Sequence, residues 1–223
     1  SMLMALAFLP MYIDILGNQK FAIIGFYLVC QAVVSLLDTA ITATVNKEIA
    51  EARLHSSDKL ASSIRTLELL IYSIAGFILV IGCLFSSFLA EKLQARTGVE
   101  LSECWNNSLL IICAICMQGI FLFYLSSILA LQRHFLYSGI RSLWFTGRFA
   151  GGVICLILIA PSPSIFLACH CITTFLLIGL LRYLLWQTVP RPFRAFTFDT
   201  KVVTRNFSFI GSAISITAST VLL

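Results

Sequence analysis

The chain has 223 residues, of which 59% are hydrophobic and 11% are charged, and its formal net charge is +5. Soluble domains carry about 25% charged residues, so this composition excludes an ordinary soluble domain and predicts a polytopic membrane protein. The positive charge requires no nucleic acid partner, because Lys and Arg collect in short loops on one side of the predicted spans.

Runs without charged residues mark the membrane helices, since a span needs roughly 20 apolar residues. The longest run, between Arg148 and Arg182, has 33 residues and fits two helices joined by a turn at Pro161 and Pro163. We predict an all-α fold with helices at about 1–16, 20–47, 61–93, 105–132, 137–160 and 164–188, and the start of a seventh helix near 206.

The distribution of Lys and Arg predicts which loops face the cytoplasm. The loops at 48–60, 133–137 and 189–205, with their flanks, carry 11 of these residues, against 3 on the opposite side. We predict a six-helix transmembrane lobe at 1–188, a cytoplasmic linker at 189–205 and the truncated start of a second lobe at 206–223. No cleaved signal peptide is expected, and the chain is expected to be a fragment of a longer protein.

Aromatic residues and cysteines have a simple interpretation in this topology. The aromatic residues at predicted span ends are expected to form an interfacial belt: Tyr12, Trp105, Trp144 and Trp186. Most cysteines lie inside predicted spans, where they act as small apolar residues, so neither a disulfide framework nor a metal site is predicted.

The second predicted helix carries a polar face inside the membrane. Spacings of three and four residues place Gln31, Ser35, Asp38, Thr42 and Asn46 on one side of the helix. Such a stripe indicates a wet cavity or a polar helix contact. For Asp38 two interpretations remain open, a structural carboxylate that pairs with a neighbouring helix and a group that handles substrate or cations.

Arg148 is a second charged residue inside a predicted span. It lies two helical turns after Arg141, about 10 Å deeper, and an apolar segment follows it. A buried guanidinium suits a phosphate or carboxylate, because it can donate to two oxygens at once. The alternative is an internal salt bridge to Asp38 or Glu68. Nearby, Gly147 and Gly151 predict a close helix approach.

Three further polar residues are weaker candidates. His170 suits either a hydrogen-bonded structural role or a proton or ligand contact. Gln118, in the middle of the fourth helix, suits a cavity donor or a helix–helix hydrogen bond. Glu68 is expected at the cytoplasmic interface, without a special role.

A family resemblance rests on two stretches. The segment LPMYIDILGNQKFAIIGFYLVCQAVVSLLDTAITATVNKEIAEA resembles the opening of the O-antigen and polysaccharide flippases, which belong to the multidrug/oligosaccharidyl-lipid/polysaccharide exporter superfamily. LALQRHFLYSGIRSLWFTGRFAGG is similar to that family's link between helices four and five. The matching features of the first segment are Pro10, the Leu16–Gly17 turn, Phe21 with Gly25, Asp38, and the helical stretch ending at Glu51. Ala40 departs from the family, which often has Gly there.

The resemblance implies a bacterial inner-membrane flippase, not an enzyme and without a cofactor. It would move an undecaprenyl-pyrophosphate-linked oligosaccharide, the repeat unit of O-antigen, capsule or exopolysaccharide, by alternating access. Arg148 would attract the pyrophosphate, whereas Gln31, Asp38, Thr42 and Gln118 would line the sugar path. Asp38 or His170 would carry a coupling H⁺ or Na⁺. Polysaccharide polymerase and ligase would be possible partners, and membrane lipids would surround the chain.

Other functions remain open at this stage. A lipid II flippase or a multidrug/cation antiporter of the same superfamily is the nearest alternative. A cation site would favour acidic residues, which Arg148 opposes. More remote are a membrane-embedded acyltransferase with His170 as general base, which requires a tighter His/Asp arrangement, and a membrane anchor, which requires no polar stripe.

Overall fold

The structure is a computed structural model that describes residues 2–55 and 57–189, without the side chains of residues 2–7, 9, 33, 36–40, 55 and 57. The described part is helical and contains no strand, which confirms the predicted all-α class. The predicted seventh helix, and the predicted linker apart from Val189, lie outside the described residues. The helices in chain order are α1 (Met2–His55), α2 (Ser57–Leu84), α3 (Ser86–Thr97), α4 (Leu101–Ala130), α5 (His134–Leu158) and α6 (Pro163–Thr188).

The first helix is broken at Gly17, which has φ 74° and ψ 162°. This backbone conformation is easily reached by glycine and strained for other residues. The break lies at the predicted Leu16–Gly17 turn, although helical residues continue directly on both sides. The predicted gap at 17–19 is therefore a single-residue kink. The helix after it was predicted at 20–47 with a helical continuation to Glu51, and it extends four residues further, to His55.

The predicted helix at 61–93 is wrong as a single element. It divides into α2 and α3 at Phe85, where φ is −95° and ψ is 4°. The short helix α3 ends at Gly98, which adopts the left-handed conformation and donates its N–H to the carbonyl of Gln94 at 2.8 Å. That glycine cap is a common way to end a helix, and it allows α4 to begin at Leu101, before the predicted start at 105.

The last three helices lie close to their predicted bounds. The helix α4 ends in two backbone hydrogen bonds, from Gln132 N–H to Leu129 O and from Arg133 N–H to Ile128 O, with Gln132 at φ 63°. This is the Schellman pattern, with glutamine where glycine is usual. The predicted proline turn separates α5 from α6, and Pro163 occupies the first position of α6, where its missing N–H costs little.

The chain forms two compact units. Unit 1 comprises Ser1–Gln31, Gly76–Gln118 and Ile140–Leu177, and unit 2 comprises Ala32–Ala75, Gly119–Gly139 and Ile178–Leu223, of which residues 178–189 are described. The connections predicted to face outward, at Gly17, 98–100 and 159–162, all belong to unit 1. Those predicted to be cytoplasmic, between α1 and α2 and between α4 and α5, belong to unit 2. The membrane sidedness of these groups stays a prediction.

The core of unit 1 corrects part of the predicted aromatic belt. Tyr12 is 2% exposed, packs against Phe166 with ring centroids 5.2 Å apart, and donates a hydrogen bond of 2.6 Å to the carbonyl of Phe149. Trp144 is also buried. Both residues hold helices together inside the unit because each finds an internal partner for its polar atom. Trp105 remains 47% exposed, as an interfacial residue would be.

Close helix packing in unit 1 depends on glycine. A Cβ at Gly147 would lie 2.9 Å from Thr173 Cγ2, which confirms a close approach there, whereas one at Gly151 would make only an ordinary contact of 3.9 Å with Cys169 Sγ. The closest approach is at Gly82, where a Cβ would lie 2.5 Å from Ile112 Cγ2. Gly152 is tight against two aromatic side chains, since a Cβ there would lie 2.8 Å from Tyr12 Oη and 2.9 Å from Phe166 Cδ2.

We therefore expect Gly152→Ala to destabilise the fold by about 1–3 kcal/mol, the usual cost of overpacking. The matched control is Gly139→Ala in the same helix, because nothing lies within 4 Å of a Cβ there. The control should be neutral or slightly stabilising, since alanine is the better helix former. Thermal unfolding in detergent measures both. Equal melting temperatures for the two variants would contradict the packing at Gly152.

Candidate functional site

Arg148 lies deep within α5. Fourteen residues separate it from the start of the helix and ten from its end, so it lies about 21 Å and about 15 Å from the two ends. The side chain is only 3% exposed. An arginine at this depth is costly in a membrane helix unless protein groups surround it, so its neighbours decide whether it is tolerated.

The guanidinium of Arg148 is surrounded by an amide and three aromatic rings. Its Nη2 donates a short hydrogen bond to Gln31 Oε1. Its central carbon lies 5.4 Å, 5.6 Å and 5.0 Å from the ring centroids of Tyr27, Trp144 and Phe149. Cation–π contacts of this kind contribute about 0.5–2 kcal/mol each. Among the described residues no carboxylate pairs with Arg148, so the positive charge is stabilised without being neutralised.

His170 completes the arrangement from α6. Its ring centroid lies 5.5 Å from that of Tyr27 and 5.8 Å from that of Trp144, and its side chain is 1% exposed. Trp144 is held in turn by a hydrogen bond of 3.1 Å from Nε1 to Thr174 Oγ1. We call Tyr27, Gln31, Trp144, Arg148 and His170 the Arg148 cluster. All five belong to unit 1.

The Arg148 cluster contains polar atoms without partners. Arg148 Nε, Tyr27 Oη and both ring nitrogens of His170 are buried and have no hydrogen-bond partner in the described part of the chain. Each such atom costs about 1–3 kcal/mol, and most buried polar groups in proteins are paired. Arg148, Tyr27 and His170 thus have open donors or acceptors in the described part of the chain, and one of the three is a cation, so an anionic or polar group would stabilise them.

The other predicted site residues lie in different surroundings. Gln118 is in unit 1 and 2% exposed, and its Oε1 has no partner among the described residues. Thr42 is in unit 2 and shares a hydrogen bond of 2.8 Å with Ser126. The side chain of Asp38 lies outside the described residues. Of the predicted site residues, Arg148, Gln31 and His170 are therefore brought together in one unit.

Glu68 corrects an expectation from the sequence. It was expected to have no special role, but it is 4% exposed in unit 2 and has buried partners. Its Oε1 accepts a short hydrogen bond from Tyr124 Oη and lies 3.0 Å from Nε of Arg182. Tyr124 donates its only hydroxyl proton to the carboxylate of Glu68. The hydroxyl of Tyr72, 2.9 Å away, must therefore donate to Tyr124. Arg182 is thus a partner of Glu68 and not simply a loop charge.

The aromatic members of the Arg148 cluster were not predicted as site residues from the sequence. Tyr27 precedes Gln31 by four residues, and Trp144 precedes Arg148 by four. Residues four apart share a helix face, so an aromatic residue one turn before a buried polar residue was the available signal. Tyr124 and Glu68 carry no such local signal, because their pairing joins two helices.

The helices define the class of the protein. Five of them are long and apolar enough to cross a membrane: Pro10–Ala32, Asp58–Leu84, Leu101–Ala130, His134–Leu158 and Pro163–Thr188. Large apolar side chains such as Phe77, Val80 and Ile157 are more than half exposed on these helices, which suits contact with lipid. The chain is a multi-pass α-helical membrane protein. The predicted count of six spanning helices is not reached in the described residues, because the first two predicted helices, at 1–16 and 20–47, contribute a single candidate span at Pro10–Ala32.

Comparisons with known proteins add no family. No family model matches the chain, and neither a curated protein nor a solved structure is significantly similar to it.

Proposed function

We propose that the chain is the N-terminal lobe of a bacterial inner-membrane flippase for a polyprenyl-pyrophosphate-linked oligosaccharide. The observation that carries this proposal is Arg148. Its guanidinium lies in the middle of a membrane-spanning helix, 3% exposed, and no carboxylate among the described residues neutralises it. Burying this charge in a membrane helix is costly, and binding an anionic ligand would be a reason to keep it there.

The chemistry of the Arg148 cluster favours an anion over a cation. A guanidinium donates to two oxygens of a phosphate at once, and Nε of Arg148 has no partner in the described part of the chain. Gln31 and the unpaired Tyr27 hydroxyl are neutral groups that suit the hydroxyls of a sugar. A drug/cation antiporter would require a net negative site, which this cluster does not supply.

Transport in this proposal requires the cluster to open. A cleft of about 360 Å³ lies between α3 and α4, at residues such as Glu91 and Trp105 and not at Arg148. Because the Arg148 side chain is only 3% exposed, a ligand would reach it only in another conformation. Alternating access between two lobes would supply that conformation, with Gln118, Thr42 and Asp38 along the sugar path and Asp38 or His170 as the coupling group.

The decisive experiment is complementation. The full-length gene is expressed in strains that lack their own O-antigen flippase, and surface polysaccharide is quantified. Restored polysaccharide supports the proposal. A strain depleted of its lipid II flippase and a strain sensitive to cationic drugs are tested in parallel. Growth rescue in the former would indicate lipid II instead, and drug resistance alone would overturn the anionic-substrate proposal.

A further inference from the structure

Unit 2 contains two arginines on neighbouring helices, and each of them contacts a side chain of the other helix. Arg65 belongs to α2 and Arg182 to α6. Arg65 contacts Trp186 and Arg182 contacts Glu68, so the two contacts join the same pair of helices about one turn apart. We call Arg65, Glu68, Arg182 and Trp186 the basic seam.

The first contact of the basic seam joins Arg65 to an aromatic ring. The guanidinium carbon lies 4.7 Å from the ring centroid of Trp186, which is a cation–π contact. No hydrogen bond or ion pair of Arg65 accompanies this contact among the described residues, so its N–H groups remain able to donate. The residue is exposed, and among the described residues no carboxylate pairs with it.

The second contact of the basic seam is a salt bridge that uses only one nitrogen of Arg182. Nε lies 3.0 Å from Glu68 Oε1, and the arginine side chain remains 54% exposed although the carboxylate is 5% exposed. An arginine has five N–H donors, so the two terminal nitrogens of Arg182 are not used by this salt bridge. Tyr124 occupies the same carboxylate oxygen, which holds Glu68 and hence Arg182 in position.

The depth of the basic seam suits lipid phosphates. Helices α2 and α6 have 28 and 26 residues, so they are about 40 Å long and extend about 5 Å beyond each face of a hydrocarbon core of about 30 Å. Arg65 lies about 12 Å from the start of α2, and Arg182 about 9 Å from the end of α6. Both therefore lie a few ångströms inside the core, and long arginine side chains reach from there to the phosphate level.

We propose that the basic seam is a binding site for a phosphate group carried on a lipid. Two guanidiniums and one carboxylate leave one net positive charge. The donors that remain on the two arginines can bind the oxygens of one phosphate or pyrophosphate between them. The salt bridge to Glu68 is enough to explain the orientation of Arg182. It does not explain the presence of Arg65, which contacts a ring and pairs with no acid among the described residues.

This inference goes beyond the transport function and does not depend on it. The phosphate has two possible sources, an anionic lipid of the bilayer such as phosphatidylglycerol, or the polyprenyl pyrophosphate of the proposed substrate. Both present the same oxygen acceptors, so both are used as probes.

The test measures lipid binding to the purified chain by native mass spectrometry after delipidation. The probes are phosphatidylglycerol, undecaprenyl pyrophosphate and, as the zwitterionic reference, phosphatidylcholine. The variants are Arg65→Gln with Arg182→Gln, and Arg182→Gln with Glu68→Gln, which avoids an unpaired buried carboxylate. The control, Arg53→Gln with Arg133→Gln, removes the same charge from exposed positions of unit 2.

We expect the Arg65/Arg182 variant to bind at least one of the two anionic probes about tenfold more weakly or worse, since two charge-assisted contacts are lost. The control should bind normally. A loss confined to phosphatidylglycerol identifies a bilayer-lipid site, and a loss confined to the pyrophosphate identifies a substrate site. Unchanged binding of both probes, or an equal loss in the control, overturns the inference. Pyrophosphate binding that depends on Arg148 alone, together with unchanged phosphatidylglycerol binding in the Arg65/Arg182 variant, would overturn it while leaving the transport proposal intact.

Discussion

Replacing Arg148 by methionine is expected to abolish polysaccharide export and to weaken binding of undecaprenyl pyrophosphate by about 10- to 100-fold. Loss of charge-assisted hydrogen bonds costs about 1.5–3 kcal/mol, and each 1.4 kcal/mol corresponds to a factor of ten. Methionine is also long and unbranched, so it fills part of the same space while it removes the charge and the guanidinium contacts with Tyr27, Trp144 and Phe149. Surface polysaccharide and pyrophosphate binding are the two measurements.

Arg148→Lys is the informative companion. It preserves the charge but cannot donate to two oxygens in the fixed planar geometry of a guanidinium, so binding should fall to an intermediate level. Export must be normalised to the amount of protein in the membrane, because a buried arginine also contributes to folding. If the methionine variant exports normally per molecule, Arg148 is structural and the anion site is wrong.

Replacing Glu68 by alanine is expected to produce the largest loss of stability, about 3 kcal/mol or more. Removing one partner of a buried ion pair costs about 3–5 kcal/mol, reduced here because Arg182 is 54% exposed and can turn to solvent. Tyr124, in contrast, is fully buried and would lose the acceptor of its hydroxyl. Thermal unfolding and denaturant titration of the purified chain measure the effect.

A double-mutant cycle separates the two partners of Glu68. Tyr124→Phe and Glu68→Gln are combined, and their coupling energy should be clearly nonzero because the residues share a hydrogen bond. Glu91→Ala serves as the control, since Glu91 is an exposed acid on α3 and should change stability by no more than about 0.5 kcal/mol. Equal effects of the Glu68 and Glu91 variants would show that the buried network does not stabilise unit 2.

Local rules predicted the helices well where a single residue ends an element. The kink at Gly17 and the turn at Pro161 and Pro163 follow from the backbone preferences of glycine and proline, which act without distant contacts. The boundary at Phe85 was missed because its sequence contains no such residue. There the short helix α3 separates from α2 within an apolar run, and only packing of Ala90 and Leu93 in unit 1 distinguishes the two helices.

For the candidate site as well, the sequence predicted some features, and only the packing of the helices decided the others. The depth of Arg148 follows from counting residues along an apolar helix, and its shared environment with Gln31 and His170 was only one of several arrangements that the sequence allowed. Helix rotation decides which face meets which neighbour, and no local preference sets that rotation. The same applies to Glu68. Its position near the start of a span predicted an interfacial carboxylate without a special role, and only the fold shows that Tyr124 and Arg182 are its partners.

The sequence by itself thus determined that the chain is a helical, multi-pass membrane protein, because hydropathy and charge clustering are properties of composition and order. It also located Arg148 as an ionisable residue inside a span, which lipid would not accept alone, but it did not predict that Glu68 is buried. Only the tertiary structure decided their partners: an aromatic cage and an amide for Arg148, and a tyrosine and an arginine for Glu68. The physical reason is that a polar group inside a bilayer must be paired across helices, and that pairing depends on how the helices pack rather than on neighbours in the chain.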